Sequence, residues 1–198
     1  MIVTISGASG AGKTTIAGWL LRLLPNSGMV PSHTTRSSRP SDIGGEYIHI
    51  SKFIFWLFNI FRFFIWTVHP YGHNYGTAKR SVNKALRDNT CFGIMLLFDT
   101  VDKLRSYARK RGEENQVISF YIISPPIEVL RERLIGRGES SESVERRLSD
   151  CQRQDEEAIK SDIPYIFVRN DEEIDLVVAH VMKRILAHKD NLLAGRLS

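Results

Sequence analysis

Cysteine is scarce in this 198-residue chain; Cys91 and Cys151 are the only two. They form no CxxC pair and no Cys/His cluster, so neither a zinc site nor a disulfide scaffold is expected, and both read as reduced thiols. Long hydrophobic runs are missing too. The densest, Phe53 to Trp66 (FIFWLFNIFRFFIW), is shorter than the roughly 20 residues that cross a bilayer, and Asn59 and Arg62 interrupt it. Met1 to Ile5 carries no basic region and no cleavage site follows it, so the expectation is a cytoplasmic protein without a targeting segment. Internal repeats and low-complexity tracts are absent, which sets solenoids aside. A strong charge bias is absent as well. The excess of 27 basic over 22 acidic residues suits a protein that handles phosphates but singles out neither nucleic acid nor a membrane. The basic residues are spread along the chain without an aromatic-basic stacking pattern, so no nucleic-acid partner is expected. With 42% hydrophobic and 25% charged residues, disorder is excluded as the main state.

What is present is an alternation of strands and helices. Residues 1–6 and Tyr165–Val168 read as strands, and Phe92–Phe98 and Val117–Ile123 as buried strands. Helical spacing recurs over Thr14–Leu24, 78–88, Asp102–Arg111, Ile127–Ile135 and Glu173–Ala187, and residues 25–28 close the first helix. Interleaving of this kind predicts an α/β fold with a parallel sheet covered on both faces.

The sharpest motif is Gly7-Ala8-Ser9-Gly10-Ala11-Gly12-Lys13-Thr14, which has the G-x-x-x-x-G-K-[ST] spacing of a P-loop. Its glycines let consecutive backbone N–H groups face a phosphate, and the following helix directs its positive dipole end there. Lys13 is placed to reach the β- and γ-phosphates, and the Thr14 hydroxyl to hold Mg²⁺. A strand before and a helix after argue against a chance glycine-rich turn. Gly7 through Thr15 are therefore the expected ATP-binding set.

Downstream lies Ser32-His33-Thr34-Thr35-Arg36-Ser37-Ser38-Arg39-Pro40. Then come Gly45-Glu46-Tyr47, Tyr75-Gly76-Thr77, the stretch Arg133-Leu134…Arg137-Gly138…Arg147-Leu148, and Asn170-Asp171. With the P-loop, this order resembles a guanylate kinase from residue 1 to about 186. The resemblance implies a three-layer P-loop NTPase fold: a core (1–30, 78–130 and 150–198), an acceptor-binding lobe (31–77) and a helical lid (131–149). It implies transfer of a phosphoryl group from ATP to GMP with Mg²⁺. The residues agree with that expectation. A monophosphate carries about two negative charges, which planar guanidinium groups suit, so Arg36 and Arg39 are expected on the acceptor phosphate with O–H donors from Tyr47 and Tyr75. Lys13, Arg39, Arg137 and Arg147 are the expected catalytic set, with Arg146 as a substitute for Arg147 because the spacing to Arg137 is one residue short of the family's. The resemblance also makes Asn170 a candidate adenine contact.

Departures from the family fall on base reading. By an ungapped count from Tyr47, Trp66 occupies the place of a glutamate that reads guanine, and an indole cannot accept its hydrogen bonds. Asp99 is the candidate second acid, although an ungapped count from Tyr75 puts Leu97 there. Ser32 and Thr77 remain as partners for the guanine O6. Two alternatives stay open: the same chemistry on ribose 1,5-bisphosphate, or a catalytically weak binding module, against which the intact Gly12-Lys13-Thr14 argues. The aromatic run 53–66 leaves almost no polar face. It is read as core packing plus a self-association or partner surface, with peripheral membrane contact as the other option.

Overall fold

The computed structural model describes residues 1–39, 42–88, 91–97, 99–136, 140–171 and 173–195. Five strands, β1 (Ile2–Gly7), β2 (Ser27–Met29), β7 (Phe92–Leu96), β8 (Val117–Ile123) and β9 (Tyr165–Arg169), form one sheet in the order β2-β7-β1-β8-β9. Every pairing in it is parallel. The continuous apolar runs of β1, β7 and β8 follow from burial on both sides. One face packs Val3, Ile5, Ile94 and Phe120 against α1 (Lys13–Leu23) and α7 (Ile174–Ala194). The other packs Ile2, Met95 and Val117 against α3 (Lys79–Arg87) and α4 (Val101–Arg109). Helices on both faces of a parallel sheet are the three-layer arrangement expected. Among the described residues no helix is long and apolar enough to cross a membrane.

Boundaries differ in places. Ser27 and Gly28, read as a helix stop, begin edge strand β2, because they pair with Phe92 and Gly93. The last helix runs about two turns beyond Ala187, to Ala194. Phe98 lies outside the described residues. The polar stretch 136–147 is helical from Ser141 onward, since α6 spans Ser141–Lys160 and crosses the expected lid boundary at 149–150 without a break. Val144, Leu148 and Cys151 recur on one side of α6 and pack with Leu130 and Leu134 of α5 (Ile127–Ile135) against Ala8. That small third cluster gives a charged sequence its helix, as tertiary packing commonly does.

A second, four-stranded sheet, in the order β4 (Tyr47–His49), β3 (Ser32–Thr34), β6 (Tyr75–Ala78), β5 (Phe64–Val68), follows the first edge strand. The three-residue β3 and β4 carry too little pattern to be seen as strands in sequence. A bulge between Phe64 and Trp66 turns these two side chains to opposite faces. Phe64 joins Phe55 and Phe58 of α2 (Lys52–Ile60) around His33, while Trp66 packs toward the main core. Part of the aromatic run, Phe55, Phe64 and Trp66, is therefore core. Burial lowers the His33 pKa, which keeps that ring neutral among its aromatic neighbours.

Gly76 lies opposite His33 in the register, under the Phe64 ring. A Cβ there would sit 2.8 Å from Phe64 ring atoms already held by their neighbours. Gly76→Ala is expected to destabilise the protein by about 1–3 kcal/mol, read as a lower midpoint in thermal or urea unfolding.

Candidate active site

The loop from β1 into α1 curls tightly enough that its glycines are needed. Gly12 has φ 97°, a left-handed conformation, and a Cβ on it would run into the Asn170 side chain. Asn170 is buried and its Nδ2 donates to Ala11 O at 2.8 Å, so it buttresses the loop from the end of β9. One of its two amide N–H groups is thereby committed to the loop. Lys13 Nζ donates to Gly7 O and Ala8 O, each at 2.7 Å, and so folds back over the loop. Thr14 and Thr15 are exposed on the first turn of α1.

Groups from α5 and α6 reach the same loop. Arg133 Nη1 donates to Gly10 O at 3.3 Å, Arg147 Nη1 to Ser9 Oγ at 2.7 Å, and Cys151 Sγ to Ser9 O at 3.6 Å. α6 is also anchored to the sheet. Asp155 accepts from Tyr121 Oη at 2.9 Å and from the Ser124 backbone N–H at 3.1 Å. Sequence reading missed Asp155, because its partners lie some 30 residues away on another element. Burial, then the Asp155 bond and charge, push the Tyr121 hydroxyl up, so it remains the donor.

Between the two sheets opens a cavity of about 470 Å³. The lobe contributes Ser32, Arg39, Tyr47, Trp66, Tyr75 and Thr77 to its wall; the core contributes Leu97 and Asp99; α6 contributes Arg146, Arg147 and Asp150. The Ser32 and Thr77 hydroxyls are 3.2 Å apart, and the Tyr47 and Tyr75 rings meet edge-on at 5.9 Å. Burial first, and Glu46 second, push the Tyr47 hydroxyl up, so it too is a neutral donor. The fold thus brings together most of the expected acceptor residues from three separate stretches. Arg137 lies outside the described residues.

Arg36 sits differently. Its guanidinium is 6% exposed and is held by Asp42 Oδ1 at 2.7 Å and Ser37 O at 2.8 Å, 4.9 Å above the Tyr47 ring. It stands behind the tyrosine wall while Arg39 faces the cavity. Asp42, an acid that sequence reading did not name, also accepts from the Arg39 backbone N–H at 2.9 Å and so links the two arginines. Burial alone would lower the Arg36 pKa; the Asp42 bond and charge, with the Tyr75 hydroxyl, outweigh it and raise it. Burial would likewise raise the Asp42 carboxyl, but the Arg36 bond, the Arg39 amide and the Arg36 charge hold it below its ordinary value.

A glycine cradle, a lysine at its lip, and a second cavity lined by arginines and hydroxyls are the parts of a nucleotide phosphotransferase. Comparison with known proteins places the arrangement. The guanylate kinase family profile matches residues 1–189. The chain belongs to the guanylate kinase family. Among its relatives, the guanylate kinase of Hyphomonas neptunium is 34% identical over 94% of this chain and 82% of its own. That of Symbiobacterium thermophilum is 31% identical over 96% and 86%. The crystal structure of guanylate kinase from Anaplasma phagocytophilum shares the fold, with a TM-score of 0.69 at 19% identity, covering 96% of this chain and 85% of that one.

Within this guanylate kinase fold the residues suit Mg²⁺ as a partner of the nucleotide. Among the described residues no three His, Cys, Asp or Glu side chains group to hold a metal by themselves. An exposed Thr14 hydroxyl beside the phosphate cradle matches an ion held mainly by phosphate oxygens and water.

The Arg36–Asp42 pair has a pH signature. The Asp42 pKa is depressed, so the pair's contribution to stability is fully present above the ordinary value near 3.8 and is lost as pH falls through the folded value. Asp42→Asn is expected to be less stable near neutral pH and to show a flatter acid limb in unfolding midpoint against pH. An unchanged acid limb would show that the pair does not act this way.

Proposed function

We propose that this guanylate kinase transfers the γ-phosphoryl group of ATP to the phosphate of GMP, giving ADP and GDP, in the cytoplasm. The observation that carries the reading is Arg147, which donates to Ser9 of the P-loop and also lines the acceptor cavity. One guanidinium thus borders both anion sites, where a phosphoryl group passing between them needs its charge neutralised.

The roles follow from placement. The N–H groups of residues 7–14 and the N-terminus of α1 bind the donor phosphates, and Lys13 swings from its two carbonyl partners onto them. Thr14 holds Mg²⁺, which when bound neutralises charge on the donor phosphates. Arg39, with Arg36 behind it and the hydroxyls of Tyr47 and Tyr75 beside it, orients the acceptor phosphate. Arg146 or Arg147 of α6 neutralises charge on the transferring group and helps keep water out; the resemblance assigns Arg137 to the same task. The acceptor oxygen needs no general base once its phosphate is ionised. Its electron pair attacks the γ-phosphorus in line as the bond to the bridging oxygen breaks. The base enters the end of the cavity floored by Trp66 and Leu97. There the Ser32 and Thr77 hydroxyls face O6, and Asp99, exposed just past β7, accepts from the ring edge.

Lys13→Ala is expected to lower kcat by on the order of 10²–10³, with GMP binding nearly unchanged. Turnover near the wild-type rate would exclude the mechanism. In a panel of GMP, dGMP, AMP, UMP and ribose 1,5-bisphosphate, GMP is expected to give the highest kcat/KM in coupled ADP release. Asp99→Ala should narrow its lead over AMP. Activity confined to the sugar phosphate would overturn the choice of acceptor.

A further inference from the structure

Phosphoryl transfer leaves the outer side of α2 unused. Phe53, Trp56, Ile60 and Phe61 are 67%, 56%, 54% and 74% exposed, and the first three recur at helical spacing as one stripe. Phe55 and Phe58, from the opposite side of the helix, hold it to the lobe sheet. That sheet stands between α2 and the acceptor cavity, since His33 and Phe64 face the helix while Ser32, Thr77 and Trp66 face the cavity. An apolar stripe this dense is a contact surface for something other than water.

Its surroundings say what. From Glu46 to Asp88 the chain carries no other carboxylate. Lys52 opens α2, and Arg62 follows it. Arg80, Lys84 and Arg87 are exposed along α3, around one shallow hollow. The first amide of α3, at Lys79, donates to Phe63 O at 3.1 Å, so the basic helix begins where the aromatic segment ends. Among the described residues Lys52, Arg62, Arg80, Lys84 and Arg87 form no ion pair.

We infer that this face docks on an anionic membrane surface. The stripe of α2 enters the boundary between headgroups and acyl chains, the preferred depth of Trp and Phe, and the flanking cations face lipid phosphates. A second copy of the chain is a poorer occupant. A two-fold contact through the same face would bring its cations together, and residues 47–87 supply no carboxylate to offset them. The acceptor cavity, on the other side of the lobe sheet, stays open to substrates while the protein is docked.

The test is co-sedimentation of the full chain with vesicles of phosphatidylglycerol and phosphatidylcholine, against phosphatidylcholine alone. Binding is expected only to the anionic vesicles, with a blue shift in tryptophan emission and weakening as salt is raised. Phe53→Ser/Trp56→Ser and Arg80→Glu/Lys84→Glu are each expected to weaken binding about tenfold while kinase activity in free solution is kept. These side chains are exposed, and a thermal melt of each variant checks that the fold is intact. No binding to anionic vesicles, or binding that neither double variant weakens, overturns the inference. So does a dimer in sedimentation velocity that Phe53→Ser/Trp56→Ser dissolves while vesicles go unbound, which would assign the face to a second copy.

Discussion

Crowding around the turn from β1 into α1 is the constraint on which the site depends. Asn170 closes one side of Gly12, and a Cβ on Gly7 would strike the Ile122 carbonyl on the other side of the loop. A loop without side chains at these points lets its N–H groups turn toward an anion and lets α1 start directly beneath them. The same crowding brings α5 and α6 close, because Ala8 is part of their small apolar cluster. Groups of α5 and α6 therefore arrive at the P-loop as a consequence of how the loop is packed.

Three of the charged groups at the site are held by partners within the protein. Arg36 is buried on Asp42, Arg147 leans on Ser9, and Lys13 rests on two loop carbonyls. A buried pair of this kind is weak evidence of stability, since desolvation offsets much of its attraction. Its effect is geometric: Asp42 holds the Arg36 side chain and the Arg39 backbone in one hydrogen-bonded unit. The residues proposed to hold the acceptor are thus tied together in advance, which in the proposed mechanism reduces reorganisation during transfer.

The second sheet solves a different problem. A four-stranded sheet has two faces, and each is used. One bears the hydroxyls and tyrosines of the cavity, and the other is sealed by the Phe55, Phe58, Phe63 and Phe64 rings around His33. The bulge in β5 is what separates Trp66 from Phe64 and allows a single aromatic strand to serve both sides. Trp66 is 8% exposed and joins the main core, so a residue that lines the cavity is also a structural wedge between the two sheets.

Sequence alone determined the α/β layering, because apolar runs such as Val117–Ile123 and helical spacing such as Ile127–Ile135 are local properties of the chain. It determined the P-loop for the same reason: all its parts lie within eight consecutive residues. The strands Ser32–Thr34 and Tyr47–His49 were not legible, since three residues carry no usable periodicity and their pairing comes from distant partners. Only the tertiary structure decided that Arg36 binds Asp42 while Arg39 lines the cavity, that Asn170 props the loop, and that Asp155 anchors α6. Each depends on which side chains meet across long stretches of chain, and that is set by packing geometry rather than by spacing in sequence.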